Sequence, residues 1–270
     1  MAFSINTNVS AMNASLSAGV NSSSLDKTIE ALASGVKEAD AASLALSGGL
    51  STQVSSLGQG IQNANESIGM IQIADGGMSS INDNMQRVRT LTLQASNGTL
   101  NADDRASIQK EIDSLLEVND SIAKTTSYNG INLLDGTGGS NGDGTFTTQT
   151  GVNAGETQSF TIPDTQVASL VGTIDVTTEA GLASALDTID NSFEKIGSIR
   201  SELGASQNQL MSTVRNTTVT QLNTAAAESQ MSDVDFALES ANFSRENLLA
   251  QTGSYALAQS NALNAASVLG

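Results

Sequence analysis

The sequence predicts a mainly α-helical protein: a long antiparallel helical rod with coiled-coil-like terminal helices and a small central β-hairpin region. Apolar residues recur every three or four positions over long stretches on both sides of the chain centre. Pro163 is the single proline in 270 residues, and long helices tolerate almost no internal proline. Aromatic residues make up only 3% of the chain. Aliphatic side chains can fill thin seams between helices without large aromatics, so the composition fits such a rod.

The two ends of the chain carry no charged side chains, although the whole has a net charge of -17. Residues 1–25 and 247–270 contain no Lys, Arg, Asp or Glu. A helix on the surface of a solitary protein has a charged outer face, and a charge repeated on stacked copies would repel itself. We interpret both ends as helices covered by self-assembly; frayed polar termini are the alternative. The predicted packing residues are Ile5, Val9, Met12, Leu16, Val234, Ala241, Leu248, Tyr255 and Ala262.

The first half of the chain predicts two helices joined by a linker. The first covers 1–36, with a break at Gly35, and the linker covers 37–43. The second runs from Leu44 to Asn97, which gives a length of about 80 Å at ~1.5 Å per residue. A second apolar series appears within it, so we expect the register to shift near 75–77. The residues at its strict seven-residue step are Leu57, Ala64, Ile71, Met78 and Met85.

A third helix is predicted from a cap at Asn101 to a stop near Asn129-Gly130. Two β-prone runs, 145–150 and 157–162, then flank a glycine-containing turn and predict a hairpin. Segment 135–178 holds five acids and no bases, so we expect it to face solvent. Helical spacing resumes near Glu179. The heptad residues that follow are Leu182, Ile189, Ile196, Leu203 and Leu210.

These patterns divide the chain into three parts. Terminal helices at 1–43 and 230–270 are expected to form the core of the assembly. Segments 44–134 and 179–229 form the helical rod, and 135–178 forms a short outer β-hairpin segment. Because 1–25 and 247–270 lack charges and bulky anchors, each terminal helix is marginal on its own, and we expect both ends to be disordered in the monomer and to fold only on assembly.

The composition excludes several function classes. The chain has no His and no Cys, which removes His-dependent catalysis, zinc sites of the usual kind, thiolate chemistry and disulfides. No phosphate-binding glycine loop is present, so we predict no enzyme activity, no cofactor and no metal. The pI near 4.1 argues against partners that are nucleic acids or anionic membrane surfaces. No apolar run reaches membrane-spanning length, and the start lacks the features of a cleaved signal peptide.

Several ordered segments of this chain resemble bacterial flagellin. The resemblance covers nearly the whole chain and leaves only 135–178 poorly matched. The linker at 37–43 is shorter than the family's, and the variable centre is short as well. The matching segments are MAFSINTNV (1–9), LASGV (32–36), QRVRTLTLQASNGT (86–99), SIQKEI (107–112), YNGINLL (128–134), GVNAGE (151–156), IRSELGASQNQ (199–209), DVDFA (233–237) and LLAQTGSYALAQS (248–260).

The resemblance implies a structural subunit that polymerises into the flagellar filament for swimming motility. It implies export through the flagellar type III channel without a cleaved signal peptide, and an extracellular location on the bacterial flagellum. The implied partners are other copies of the chain, an export chaperone, and the cap and hook-junction proteins. A host Toll-like receptor is a further partner implied by the resemblance, through Arg87, Leu91 and Glu111, with Leu91 as an apolar anchor.

Two alternatives share some of these features. A hook–filament junction protein has similar terminal helices, but its central region is usually longer. A secreted type III binding module or adhesin would need a larger variable head or an exposed apolar membrane helix, and the sequence shows neither.

Overall fold

In the computed structural model, residues 8–37 and 41–269 are described and are mostly helical. The predicted mainly α class, with a small central hairpin region, is confirmed. Ile5, one of the predicted packing residues, lies outside the described residues. The helices are α1 (Val9–Ser34), α2 (Ala41–Ala95), α3 (Ala102–Thr125), α4 (Val167–Leu170), α5 (Glu179–Ser232) and α6 (Phe236–Leu269), and the strands are β1 (Ser127–Tyr128), β2 (Ile131–Asn132), β3 (Thr145–Gln149) and β4 (Thr157–Thr161).

The described residues fall into two compact units. One, here called the terminal unit, is drawn from 1–52 and 223–270; the other, the central unit, comprises 53–222. Helices α2 and α5 contribute residues to both units. The hairpin segment belongs to the central unit. The three-part division made from the sequence concerns the assembly and stays a prediction.

Local signals set the ends of α1. The Asn8 side chain accepts a hydrogen bond from the Ala11 N–H at 2.9 Å and caps the start. Gly35 adopts a left-handed conformation with φ 72°, and its N–H donates to the Ala31 carbonyl, so the predicted break at Gly35 is confirmed. The predicted linker over 37–43 is too long, because α2 already begins at Ala41. Alanine is the strongest helix former, and Ala41 and Ala42 extend the helix beyond the apolar pattern.

Helix α2 has one continuous buried seam, so the predicted register shift near 75–77 is wrong. Small and polar residues occupy seam positions that an apolar pattern does not reveal. A Cβ on Gly77 would lie 2.7 Å from Leu134 Cδ1 and 2.9 Å from Thr126 Oγ1, so this glycine allows a close approach and marks no slip in register. The seam residues are Leu57, Gly60, Ala64, Ser67, Ile71, Ala74, Met78, Ile81, Met85, Val88, Thr92 and Ala95.

Helix α3 starts as predicted and ends earlier than predicted. Asn101 and Asp104 form a capping box, in which each side chain accepts a hydrogen bond from the other residue's N–H. The helix ends at Thr125. Asn129, at φ 50°, and Gly130, at φ 78°, instead form the two-residue turn between β1 and β2. Asn-Gly favours this turn because both of its residues tolerate positive φ.

The predicted hairpin is confirmed as β3 paired with β4 in antiparallel register. Phe146 and Phe160 lie opposite each other, with ring centroids 5.5 Å apart, and both are buried. The expectation that 135–178 faces solvent is therefore wrong for this face, because alternating residues of a strand point to opposite sides. The hairpin contacts α2 through the hydroxyls of Ser67 and Thr148, 2.5 Å apart.

Helices α3 and α5 run antiparallel to α2 within the central unit. Asn84 Nδ2 donates to Asn119 Oδ1 at 2.8 Å between α2 and α3. An ion pair of 2.8 Å joins Arg89 of α2 to Asp190 of α5. This hydrogen bond from Arg89 lowers the pKa of the Asp190 carboxyl. The predicted heptad of α5 is confirmed, because Leu182, Ile189, Ile196, Leu203 and Leu210 are all buried.

Candidate assembly interface

Helices α1 and α6 form an antiparallel pair in the terminal unit. Three contacts along their length show the direction: Asn8 Nδ2 donates to the Ser260 carbonyl at 3.3 Å, Thr28 Oγ1 donates to Glu246 Oε2 at 2.7 Å, and the Val234 N–H donates to the Gly35 carbonyl at 3.1 Å. The pair therefore brings the two charge-free ends of the sequence together in one element.

Small side chains dominate the seam between α1 and α6. A Cβ placed on Gly253 would lie 3.8 Å from the Ala18 Cβ, so the two helices approach closely there. Small residues bury little apolar area, and the seam contributes correspondingly little stability. The inward residues of α1 are Ala11, Ala14, Ala18, Asn21, Leu25, Thr28 and Ala31. Those of α6, half-buried and three or four apart, are Glu239, Phe243, Glu246, Ala250, Gly253, Leu257 and Ser260.

Most large apolar side chains of the terminal helices point away from this seam, and of the seam residues named above only Leu25, Phe243 and Leu257 are large, apolar and half-buried. On α1, Met12 is 63% exposed and Leu16 is 70% exposed. On α6, Leu248 is 64% exposed and Tyr255 is 76% exposed. We call these outward surfaces the apolar faces of the pair. The large apolar residues on them are Val9, Met12, Leu16, Val20, Phe236, Leu238, Leu248, Leu249, Tyr255 and Leu263.

Most of the predicted packing residues therefore do not lie in the seam between α1 and α6 of one chain. Val9, Met12, Leu16, Ala241, Leu248, Tyr255 and Ala262 are exposed, and Val234 is half-buried. Within one chain, Leu248 and Tyr255 do not pack on Val9 and Leu16, since all four side chains are exposed. The small residues on the adjacent face of each helix form the seam instead, because they allow α1 and α6 to approach each other more closely.

Sequence reasoning missed the polar residues that fix the register of this pair. Glu246, the last charged residue of the chain, accepts from Thr28 through its side chain, and its carbonyl accepts from Asn21 Nδ2 at 3.0 Å. Thr28 is 4% exposed. A three-four spacing runs through Asn21 and Thr28 on α1 and could have indicated the seam. A pattern of large apolar residues does not reveal this spacing, because Asn21 and Thr28 are polar.

The three residues assigned to a receptor contact lie in the central unit, and only two of them are at its surface. Arg87 Nη2 pairs with Glu111 Oε1 at 2.7 Å, with the side chains 56% and 49% exposed. Leu91 is 2% exposed and belongs to the same buried cluster as Ile108 and Ile112. The predicted apolar anchor, Leu91, is therefore buried within the single chain, because α3 packs over this side of α2.

The described part of the chain offers little for other chemistry. Over residues 8–37 and 41–269 no group of His, Cys, Asp and Glu side chains is placed to hold a metal ion. None of the helices described there is both long and apolar enough to cross a membrane. In the described part of the terminal unit, the apolar faces expose several large apolar side chains to solvent.

Comparisons with known proteins identify similar proteins for both the N-terminal and the C-terminal regions of the chain. A family model for the N-terminal helical region of bacterial flagellin matches residues 5–138, and one for the C-terminal helical region matches residues 186–269. The chain is 35% identical to a flagellin of Halalkalibacterium halodurans, with 95% of each chain covered. It is 35% identical to the flagellar filament 31.3 kDa core protein of Treponema maltophilum, over 95% of this chain and 96% of that one. The crystal structure of Bacillus cereus flagellin is similar with a TM-score of 0.52 and 30% identity, covering 62% of this chain and 94% of that chain.

Proposed function

This chain belongs to the bacterial flagellin family of structural filament subunits, and from that premise we propose that its apolar faces form the inner core of the filament. As a flagellin it is not an enzyme; it polymerises with copies of itself into the extracellular flagellar filament. The proposal concerns which residues neighbouring copies cover. It assigns that role to Val9, Met12 and Leu16 of α1 and to Leu248 and Tyr255 of α6.

One observation carries the proposal: these large apolar side chains are 61% to 76% exposed in the single chain. Burying a side chain of this size contributes about 1.5–3 kcal/mol relative to leaving it in water. Contiguous exposed apolar surfaces of this kind mark interaction sites. The neighbours that cover them are other copies, because these ends carry no charge that would repeat, and repel itself, along a homopolymer.

The same premise gives the other parts of the chain their places in the filament. We propose that 1–43 and 230–270 form its inner core, that 44–134 and 179–229 form the surrounding rod, and that 135–178 lies outermost. We further propose export through the flagellar type III channel with the aid of a chaperone, and assembly between hook-junction and cap proteins. Intact mass of chains from sheared filaments tests the export route, since a cleaved signal peptide would remove the first apolar helix residues.

The replacement Leu248→Asp tests the inner-core proposal. A carboxylate at this position would be buried without a partner in every copy, at a cost of several kcal/mol each. We expect no filaments from the variant in a seeded polymerisation assay at neutral pH, while circular dichroism shows an unchanged helical monomer. Leu248→Met, which conserves volume, is the control and should polymerise as the unchanged protein does. Filaments of ordinary length from Leu248→Asp at the ordinary critical concentration would refute the proposal.

We also propose that the free monomer is sensed by a host Toll-like receptor through the exposed Arg87–Glu111 pair. Arginine presents a planar fork of donors, which suits it to anchoring an interface. Leu91 lies in the buried core of the same unit and does not itself reach the surface. The intact filament should bind poorly if neighbouring copies cover the pair.

Direct binding measurements on full-length monomers test the receptor proposal. Arg87→Ala should weaken binding about tenfold or more. Arg215→Ala, at an exposed arginine on α5, should leave it unchanged. Leu91→Ala should lower the free energy of unfolding, in keeping with its burial. No binding by the unchanged monomer, or full binding by Arg87→Ala, would rule the receptor contact out.

A further inference from the structure

The terminal unit exposes a thioether in the middle of the α1 apolar face. Met12 is 63% exposed and lines an open groove of about 750 Å³ together with Leu16, Gly19 and Val20. The other methionines among the described residues are less accessible. Met78 and Met85 are 0% exposed, and Met70, Met211 and Met231 are half-buried.

We propose that Met12 is an oxidation site at which peroxide-class oxidants block the entry of the monomer into the filament. This inference rests on the proposed function, because it needs the α1 face to be buried between copies. The residue is available to a dissolved oxidant in the free chain and becomes inaccessible once neighbours cover the groove.

The chemical step is a two-electron oxidation of sulfur. A lone pair of the Met12 sulfur attacks one oxygen of hydrogen peroxide, the O–O bond breaks and an S–O bond forms. The departing oxygen leaves as water after it has taken the hydrogen of the transferred oxygen. The thioether is oxidised to a sulfoxide and the peroxide is reduced to water, with no other reactant.

Oxidation changes what the α1 face can bury. The sulfoxide oxygen is a strong hydrogen-bond acceptor. Leu16 and Val20 beside it are aliphatic, while Asn13, Ser15 and Ser23 also line the groove. Where a neighbouring copy presents apolar side chains to the oxygen, the buried acceptor has no donor, which is costly. Because every copy contributes the same face, the cost recurs at each added subunit. The helix itself should persist, since Met12 makes little contact with the seam that holds α1 to α6.

The test compares full-length monomers treated with hydrogen peroxide and then seeded with filament fragments. Peptide mass spectrometry should find Met12 oxidised at least about tenfold faster than Met78 and Met85, in line with exposure. The critical concentration for polymerisation should rise about tenfold or more as Met12 sulfoxide accumulates. Methionine sulfoxide reductase should restore it. In assembled filaments the oxidation of Met12 should be slow.

Two matched variants separate Met12 from the other methionines. Met12→Leu conserves volume and should polymerise normally before and after peroxide treatment. Met231→Leu should remain as sensitive as the unchanged protein. The inference is overturned if Met12 sulfoxide monomers polymerise normally, if Met12→Leu loses assembly on treatment, or if Met12 is oxidised equally fast in filaments.

The outcome with Leu248→Asp tells the two ideas apart. If Leu248→Asp polymerises normally, the inner-core proposal itself has failed. If Leu248→Asp is blocked while Met12 sulfoxide monomers assemble normally, only the oxidation site is wrong.

Discussion

The two compact units of this chain treat their large apolar side chains in opposite ways. In the central unit, Ile81, Met85 and Ile112 are 0% exposed. In the terminal unit, Leu16 and Tyr255 are 70% and 76% exposed, while most seam positions are taken by alanine, glycine and polar residues. Both units use the same helical spacing of apolar residues. The two units differ in whether another part of the same chain covers the apolar face of each helix.

This contrast shows where each unit obtains its stability. The central unit contains its own partners, because α3, α5 and the β3–β4 hairpin cover the seam of α2. The terminal unit holds its two helices in register through polar contacts such as Thr28 to Glu246, and leaves its apolar area for neighbouring copies. A subunit that must stay dispersed before it polymerises gains from this arrangement, since the central unit contains its own core and the assembly faces remain available.

Proteolysis should give the largest difference between the two units. Trypsin can release most of the two terminal helices by cutting after Lys27 and Arg245, whereas chymotrypsin or elastase is needed to cut within 1–25 or 247–270, which contain no Lys or Arg. We expect the terminal helices to be removed from the monomer while 53–222 persists, because the small-residue seam stabilises them weakly. In filaments, both units should resist digestion by the protease. Equal resistance of the terminal helices in monomer and filament would remove the basis of the comparison.

Paired truncations should separate the units by free energy of unfolding. Ile81→Ala leaves a cavity in the central unit and should destabilise the monomer by about 3 kcal/mol in urea denaturation. Leu16→Ala in the terminal unit should change the same quantity by less than about 0.5 kcal/mol, because its side chain is already in water. It should instead raise the critical concentration for polymerisation. A large loss of monomer stability in Leu16→Ala would show that the α1 face is covered within one chain.

Two glycines of α2 offer a sharper test of packing in the central unit. A Cβ on Gly60 would lie 2.5 Å from the Thr150 carbonyl oxygen, whereas one on Gly69 would meet nothing within 4 Å. Gly60→Ala should therefore destabilise the protein by about 1–3 kcal/mol. Gly69→Ala should stabilise it by about 0.5–1 kcal/mol, since glycine weakens a helix interior. Thermal unfolding of the two variants measures both effects, and equal shifts would contradict this hairpin placement.

The smallest expected effect is the pH dependence of the Arg89–Asp190 pair. The pKa of Asp190 is lowered in the folded protein, so its contribution is present above the unfolded pKa, about 3.9, and is lost as the pH falls through the folded value. Asp190→Asn should slightly lower the urea midpoint at pH 7, and the difference should vanish in strong acid. Both side chains are well exposed, so the effect is small and salt should reduce it. A difference that grows on acidification would contradict the lowered pKa.

The local features of this fold follow from the sequence because their causes are local. Gly35 ends α1 since a left-handed residue is needed there, and Asn101 caps α3 through its own side chain. The heptads of α2 and α5 predicted long helices for the same reason. The end of α3 was misjudged because Asn129-Gly130 serves equally well as a helix stop and as a hairpin turn, and only strand pairing distinguishes the two.

What covers each helical face was decided by tertiary structure alone. Leu91 and Met12 both lie at helical spacing among other apolar residues, yet one is 2% exposed and the other 63% exposed. Periodicity in the sequence predicts which side chains share one face of a helix. It does not predict whether that face packs against another helix of the same chain. The sequence determined helices, caps, turns and the uncharged ends. The close approach of small residues such as Ala18 and Gly253 then determined which face turned inward, because the helix pair settles where its backbones can come nearest.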